Sequence, residues 1–203
     1  MRLTKVAAVA AVLAFSTPAV AELSIPSGTY LMDPTHTSVH FKVNHLGLSN
    51  YTARFTEFKG ALQLDADNPE NSTLEVTVYP MSLRTDYPNA HVQDFDKELR
   101  ESTNFMDATA HPEIVFTSTK MTQNSPTRGT VEGDLTFRGV TLPVTLDVTL
   151  NGALEKHPFV DAAALGISAT GRIKRSDFGM THLIPGVGDE VQIIIESEFV
   201  EEK

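Results

Sequence analysis

Cysteine is absent from the 203-residue chain. A chain without cysteine forms no disulfide, offers no thiolate to a metal ion, and lacks the residue that carries lipid in a bacterial lipoprotein. Basic residues are fewer than acidic ones: the chain has 16 lysines and arginines and 26 aspartates and glutamates, which gives a formal net charge of −10. An acidic surface repels nucleic acid and anionic membranes. The composition therefore argues against a nucleic-acid-binding protein and against a disulfide-stabilised scaffold.

The first residues have the pattern of an export signal. A positively charged start is followed by an unbroken apolar run over 6–15 and by the small-x-small cleavage pattern Ala19-Val20-Ala21. The apolar run is too short to span a bilayer as a stable helix. We therefore expect residues 1–21 to be a cleaved secretory signal peptide and residues 22–203 to form one domain. The mature chain is expected to be soluble, in the periplasm or secreted.

Most of the remaining chain alternates between apolar and polar residues, which is the period of a β-strand with one buried face. The clearest row is Leu142, Val144, Leu146, Val148 and Leu150. The same period runs through 39–43, 74–78, 114–116, 131–137, 165–173 and 191–199. Short connections between such rows predict antiparallel strands, which form either a sandwich or a closed barrel. The alternation alone does not choose between these two folds.

One segment has helical spacing. Between Pro88 and Arg100, the apolar residues Val92, Phe95 and Leu99 fall on one helix face. A lone short helix in a chain of strands predicts a lid or plug that packs on the sheet.

Several motifs, in this order and spacing, resemble the YceI-like family of exported polyisoprenoid-binding proteins. They are 30–38 (YLMDPTHTS), His45-Leu46-Gly47, 55–60, 133–141 (GDLTFRGVT) with Pro143-Val144, Arg175-Ser176-Asp177-Phe178-Gly179 and Gly188-Asp189-Glu190-Val191. The resemblance covers essentially the whole chain after residue 22. It implies an all-β fold, a lipocalin-like eight-stranded antiparallel barrel with an elongated apolar cavity and one or two short helices. A barrel of eight strands is just wide enough to hold one small ligand.

The function implied by the resemblance is non-catalytic binding, transport or storage of a long apolar lipid. A polyisoprenoid or an isoprenoid quinone is the expected ligand, and no other cofactor is expected. Transient contact with a membrane for lipid exchange is compatible with this function, as is a homodimer. The chain length and head group of the ligand are not readable from the sequence.

Strand alternation and motif position together predict the residues that line the cavity. They are Phe41, Val43, His45, Phe55, Leu74, Val76, Leu99, Phe105, Ile114, Phe116, Leu135, Phe137 and Phe178. Most of these side chains would form the apolar wall of the cavity. For each of them the alternative is that it packs in the ordinary core and does not face the cavity. His45 is the polar member, placed at a strand end where it could donate a hydrogen bond to a head group. A histidine satisfied within a turn is the alternative at that position.

The chain departs from the family on its predicted helix. The family pattern Arg-Asp-x-His-Leu reads Phe95-Asp96-Lys97-Glu98-Leu99 here. A carboxylate in place of the histidine is expected to reject a pyrophosphate head, because like charges repel, and to tolerate a neutral or hydrogen-bond-donating head.

Two other classes of function remain open. An interaction module of the envelope stress response would have a filled barrel core without a tunnel. A cavity enzyme acting on an isoprenoid would need an acid–base pair in the pocket, drawn from Glu98, His45 or Asp33. In an extended segment Asp33 and His36 point to opposite faces, which argues against their pairing. No metal site is expected, because no His-x₃-His lies on a predicted helix, no clustered carboxylates accompany His36 and His40, and no cysteine is available.

Overall fold

The computed structural model describes residues 23–203, which form eleven β-strands and one α-helix. In chain order the elements are β1 (Gly28–Met32), β2 (Ser38–His45), β3 (Ser49–Phe55), β4 (Phe58–Leu64), β5 (Thr73–Val78), β6 (Leu83–Arg84), α1 (Phe95–Glu101), β7 (Ile114–Ser125), β8 (Arg128–Phe137), β9 (Val140–Leu154), β10 (Ala164–Lys174) and β11 (Val187–Glu201). The predicted signal peptide, 1–21, lies outside the described residues. Within 23–203 no helix has both the length and the apolar character needed to cross a bilayer.

The strands form one antiparallel sheet that closes on itself. β1 pairs with β4 on one side and with β11, the last strand, on the other. The ring runs β1-β4-β5-β7-β8-β9-β10-β11 and returns to β1 through pairs such as Tyr30 with Glu201. The predicted eight-stranded antiparallel barrel is confirmed, and closure leaves no unpaired edge along the ring.

The strands β2, β3 and β6 continue barrel strands after an interruption. β11 is 15 residues long; its residues 187–196 pair with β2, and its last residues, 199–201, pair with β1. In the same way β4 pairs with β1, and β3 pairs with β2 and with β6. Two of the interruptions contain Pro34 and Pro80. Proline has no backbone N–H to donate to a neighbouring strand, so it is typical of such breaks.

The barrel has a closed end and an open end. At the closed end, where β1 begins and β11 ends, Ile25, Tyr30, Leu165 and Phe199 are buried together. Tyr30 is fully buried, and its hydroxyl donates a hydrogen bond to the carbonyl oxygen of Pro26 at 2.7 Å. The opposite end carries the β2–β3 hairpin, helix α1 and the loop between β10 and β11.

Helix α1 lies across the open end and begins later than the sequence pattern predicts. Asp94 caps it by accepting a hydrogen bond from the Lys97 N–H at 2.9 Å, so the helix starts at Phe95. Val92 stays outside the helix and is exposed, although the predicted face included it. The Phe95 ring centroid lies 6.2 Å from that of Tyr51 in an edge-on arrangement, which packs the helix start against strand β3.

Candidate ligand-binding cavity

A cavity of about 600 Å³ occupies the interior of the barrel. Its wall is predominantly apolar and is built from the inward rows of the alternating strands, including Leu135 and Phe137 of β8, Ile167 and Ala169 of β10, and Ile193 of β11. This volume falls in the range of roughly 300–1,000 Å³ typical of small-molecule sites. The strand alternation read from the sequence therefore marks the cavity face correctly.

Twelve of the thirteen predicted site residues line this cavity. They are Phe41, Val43, His45, Phe55, Leu74, Val76, Leu99, Phe105, Ile114, Phe116, Leu135 and Phe137. Phe178 lies elsewhere. It ends a short 3-10 turn (Arg175–Phe178), and its buried ring packs against Phe137 with centroids 5.6 Å apart, so it supports the wall without forming it. Contact of these side chains with a ligand stays a prediction.

Two glycines in the inward rows let large side chains lie flat on the wall. A Cβ atom at Gly133 would lie 2.4 Å from the ring of Phe116 on the next strand. A Cβ atom at Gly171 would lie 2.6 Å from Leu146 in the same way. Such distances are far below any van der Waals contact, so only glycine admits these neighbours. The arrangement keeps bulky side chains against the sheet and leaves the centre of the barrel free.

The mouth of the cavity is formed by side chains that both line it and are exposed to solvent. They are His45, Gln93, Glu98, His182 and Leu183. The Gln93 side-chain amide donates a hydrogen bond to the Glu98 carboxylate at 2.6 Å. The carboxylate that replaces the family histidine therefore stands at the opening, where a ligand head group would lie.

Arg175 fixes one side of the mouth from inside the protein. Its side chain is only 4% exposed, and it donates hydrogen bonds to the carbonyl oxygens of Gly188 at 2.8 Å, Val187 at 2.9 Å and Met180 at 3.1 Å. Burial lowers the pKa of the Arg175 guanidinium, and the negative charge of Asp189 opposes that shift. The three bonds hold the β10–β11 loop against the first residues of β11.

Arg138 also binds backbone carbonyl oxygens and holds the opposite side of the mouth. It lies in the turn between β8 and β9 and donates hydrogen bonds to the carbonyl oxygens of Phe178 at 3.2 Å, Thr103 at 3.0 Å and Phe105. The segment after α1 and the 3-10 turn are thereby tied together. Both arginines belong to motifs visible in the sequence, yet their spacing gave no sign that they bind backbone carbonyls.

Asp33 and His36 do form a pair, and the expectation that they would not was wrong. β1 ends at Met32, so the segment from Asp33 is a turn and not an extended strand. The Asp33 Oδ2 and His36 Nδ1 atoms lie 2.7 Å apart, and Glu198 Oε2 lies 3.8 Å from the same nitrogen. These three offer the one group of metal-ligand types with donor atoms within 4.8 Å of one another among the described residues. The group lies outside the cavity lining.

The Asp33–His36 pair predicts a pH-dependent interaction on the barrel exterior. Partial burial would raise the pKa of Asp33, but hydrogen bonds from Thr35 and His36 together outweigh it and lower that pKa to about 2. The hydrogen bond to Asp33 raises the pKa of His36 above its usual 6.5. The stabilising interaction is therefore complete near pH 4–6 and is lost as pH rises through the folded His36 pKa or falls through that of Asp33.

An NMR titration of the histidine ring protons should show a His36 pKa above 6.5. In Asp33→Asn this pKa should fall, whereas Glu198→Gln should lower it less, because its influence is purely Coulombic and smaller. An unchanged His36 pKa in Asp33→Asn would show that the pair does not form in solution.

Solved structures share this fold. A YceI protein of Campylobacter jejuni superposes with a TM-score of 0.69 and 28% identity, over 80% of this chain and 91% of its own. A polyisoprenoid-binding domain from Saccharophagus degradans superposes with a TM-score of 0.57 over 87% of this chain and all of its own, at 11% identity. The second likeness shows the fold alone.

Sequence comparison extends the likeness to the whole domain. Protein YceI of Shigella flexneri is 34% identical over 168 residues, which is 83% of each chain. The family model described as the YceI-like domain matches residues 30–199. That span runs from β1 through β11, so it includes every strand of the barrel and the helix at its mouth. The chain belongs to the YceI-like family.

Proposed function

We propose that the protein binds a long apolar lipid, a polyisoprenoid or an isoprenoid quinone, and carries or stores it in the periplasm after export. The observation that carries this proposal is the cavity of about 600 Å³, which is apolar along its wall and solvent-exposed at its mouth. A hydrocarbon tail fits such a wall, and a polar head fits the mouth. The polyisoprenoid-binding domain that shares the fold supports the same ligand class.

The energetics of exchange favour a carrier. Burial of hydrocarbon contributes about 0.8 kcal/mol per CH₂ group. A few isoprene units measured against water would approach the practical affinity limit of roughly 18–21 kcal/mol. The relevant competitor is the membrane, which buries the same chain equally well. Net transfer from bilayer to cavity is therefore near zero, and the protein can release what it binds.

The composition of the wall supports binding without chemical change. Among the described lining residues, the hydrogen bond at the mouth joins Glu98 to Gln93, and glutamine does not titrate. Asp33 and His36 form an acid–base pair, but they lie outside the lining. An open cavity is also unlike the filled core expected of an interaction module. The two alternative functions are therefore less well supported than the carrier.

Glu98 favours a ligand without a phosphate head. Its carboxylate at the mouth repels a pyrophosphate and can accept a hydrogen bond from an alcohol or hydroquinone. Arg175 is the one arginine or lysine in the cavity lining among the described residues, and its buried guanidinium donates to three backbone carbonyl oxygens. We therefore infer selection for a neutral head group.

Native mass spectrometry of the mature protein, purified from its own cells without detergent, tests both the ligand class and the head group. We expect a co-purifying species whose organic extract shows the five-carbon mass repeat of an isoprenoid. Prenyl alcohol added to the lipid-free protein should form a one-to-one complex, and prenyl pyrophosphate of equal chain length should bind about tenfold or more weakly, given one like-charge contact.

The outcomes separate the ligand class from the head group. A straight-chain lipid in the extract would overturn the isoprenoid assignment while leaving lipid binding intact. Preference for the pyrophosphate would overturn the neutral head group. Failure to bind either prenyl compound, with only the lipid-free mass observed, would overturn the carrier function.

A further inference from the structure

Two loops at the open end expose leucine side chains beside the cavity mouth. We call the tip of the β2–β3 hairpin (43–53), between Lys42 and Arg54, and the segment 178–188 the rim loops. Leu48 is 84% exposed, Leu46 61% and Leu183 54%. The Leu46 N–H donates a hydrogen bond to the Gly186 carbonyl oxygen at 2.7 Å, which joins the two loops. The exposed leucines therefore form one surface, and Leu183 is also part of the cavity lining.

The backbone at two of these leucines favours a different residue. Leu46 has φ 56° and Leu183 has φ 64°, both in the left-handed region. Leu46 and Gly47 occupy the centre of a tight hairpin with positive φ at both positions, a turn that normally contains Asn-Gly. Asparagine tolerates this conformation better than leucine, and it is also polar. Local folding therefore does not account for an exposed leucine at either position.

Fixed charge is missing from the rim loops. Charged residues make up 21% of the chain, yet neither 43–53 nor 178–188 contains a lysine, arginine, aspartate or glutamate. The closed end also exposes apolar residues, Leu154 and Phe159, but there Lys156 pairs with Asp161 at 2.7 Å. An apolar surface without charge enters a bilayer interface at little desolvation cost, whereas one interspersed with ion pairs does not.

We propose that the rim loops dock the barrel, mouth first, on the surface of a zwitterionic phospholipid bilayer. Leu46, Leu48 and Leu183 insert among the lipids, and Leu183, which also lines the cavity, connects the inserted surface to the cavity wall. The net charge of −10 disfavours an anionic surface, so insertion and not charge provides the attraction. This proposal rests on the proposed lipid-binding function, for which it supplies the route of exchange.

Vesicle flotation with the mature protein tests the docking. Phosphatidylcholine vesicles are expected to bind the wild-type protein more strongly than vesicles rich in phosphatidylglycerol, and added salt should narrow that difference. The double variant Leu46→Asn/Leu183→Asn should bind phosphatidylcholine vesicles about 100-fold or more weakly, since each of the two buried leucines contributes at least about tenfold. Its resistance to urea should equal or exceed that of the wild type, because asparagine suits both backbone positions.

A matched variant removes apolar surface from the other end of the barrel. Leu154→Asn/Phe159→Ser should leave vesicle binding unchanged. Equal loss in both double variants, or full binding by Leu46→Asn/Leu183→Asn, would overturn the proposal. A third result would also overturn it: the wild-type protein does not bind vesicles and sediments as a dimer, and Leu46→Asn/Leu183→Asn sediments as a monomer. The rim loops would then bind a second copy of the chain.

A variant with a filled cavity separates docking on vesicles from binding of a lipid in the cavity. Ala169→Trp, which fills the cavity from the middle of β10 and leaves the rim loops unchanged, should float with phosphatidylcholine vesicles as the wild type does. If vesicles bind the protein while no prenyl alcohol enters its cavity, the docking surface stands and the proposed cargo fails. If the cavity takes up prenyl alcohol but the protein does not float, the docking proposal fails alone.

Discussion

Replacing Arg175 with methionine is expected to lower the free energy of unfolding by about 2–4 kcal/mol, because the guanidinium leaves buried carbonyl oxygens without a donor. Its three hydrogen bonds reach Met180, Val187 and Gly188 at 2.8–3.1 Å, and methionine makes none of them. Relief of the buried charge offsets only part of this cost. Urea unfolding followed by circular dichroism measures the change. Hydrogen exchange should also rise in residues 176–187, which these bonds hold.

Two further variants test whether the buried hydrogen bonds of Arg175 cause this loss of stability. Arg175→Lys keeps the charge but not the planar fork of donors, so it should lose roughly half as much stability as Arg175→Met. Arg172→Met removes an arginine from the exposed face of the preceding strand β10, where it pairs with Glu190, and should change stability by less than about 0.5 kcal/mol. A loss in Arg172→Met as large as that in Arg175→Met would show that the buried hydrogen bonds are not responsible.

The barrel wall was readable from the sequence because its physics is local. Each strand needs one apolar face, so rows such as 165–173 and 191–199 carry the period of two that the cavity wall shows. Closure was not readable in this way. It depends on pairs such as Tyr30 with Glu201, which lie at opposite ends of the chain, and a sandwich would show the same alternation. The family resemblance, and not the pattern, chose the barrel.

The wrong predictions concern residues at the ends of strands and of the helix. Asp33 and His36 were placed on opposite faces of a strand that in fact ends at Met32. Val92 was placed on a helix that Asp94 caps two residues later. The mouth residues Gln93 and His182 were not predicted, because Gln93 is off the apolar face of the predicted helix and His182 lies in a segment without a period. Asp94 caps the helix and Asp33 pairs with His36 within a turn, and the apolar period of the sequence does not record either contact.

Phe178 shows the limit of motif position as a guide. Its place in the Arg175-Ser176-Asp177-Phe178-Gly179 motif put it among the predicted lining residues, with ordinary core packing as the alternative. The left-handed Gly179, with φ 77°, closes the 3-10 turn, and the Phe178 ring packs against Phe137 and not in the lining. A motif therefore identifies a neighbourhood, while the turn determines which way a side chain points.

Filling the cavity at Ala169 is expected to abolish lipid binding while the fold is retained. Ala169 lines the cavity from the middle of β10, between Val148 of β9 and Ile195 of β11. In Ala169→Trp the indole occupies space that the ligand would use. Displacing a few CH₂ groups, at about 0.8 kcal/mol each, weakens binding of a prenyl alcohol by about 100-fold or more. Fluorescence titration and native mass spectrometry both measure that loss.

The neighbouring residue provides the control, because successive side chains of a strand point to opposite faces. Thr170 is exposed on the outer face of β10, so Thr170→Trp adds the same side chain to the same strand without entering the cavity. It should bind the prenyl alcohol as the wild type does. Equal loss of binding in both variants would point to damage of the fold and not to occlusion. Undiminished binding by Ala169→Trp would place the ligand outside the barrel, because the cavity cannot hold the indole and a full-length lipid together.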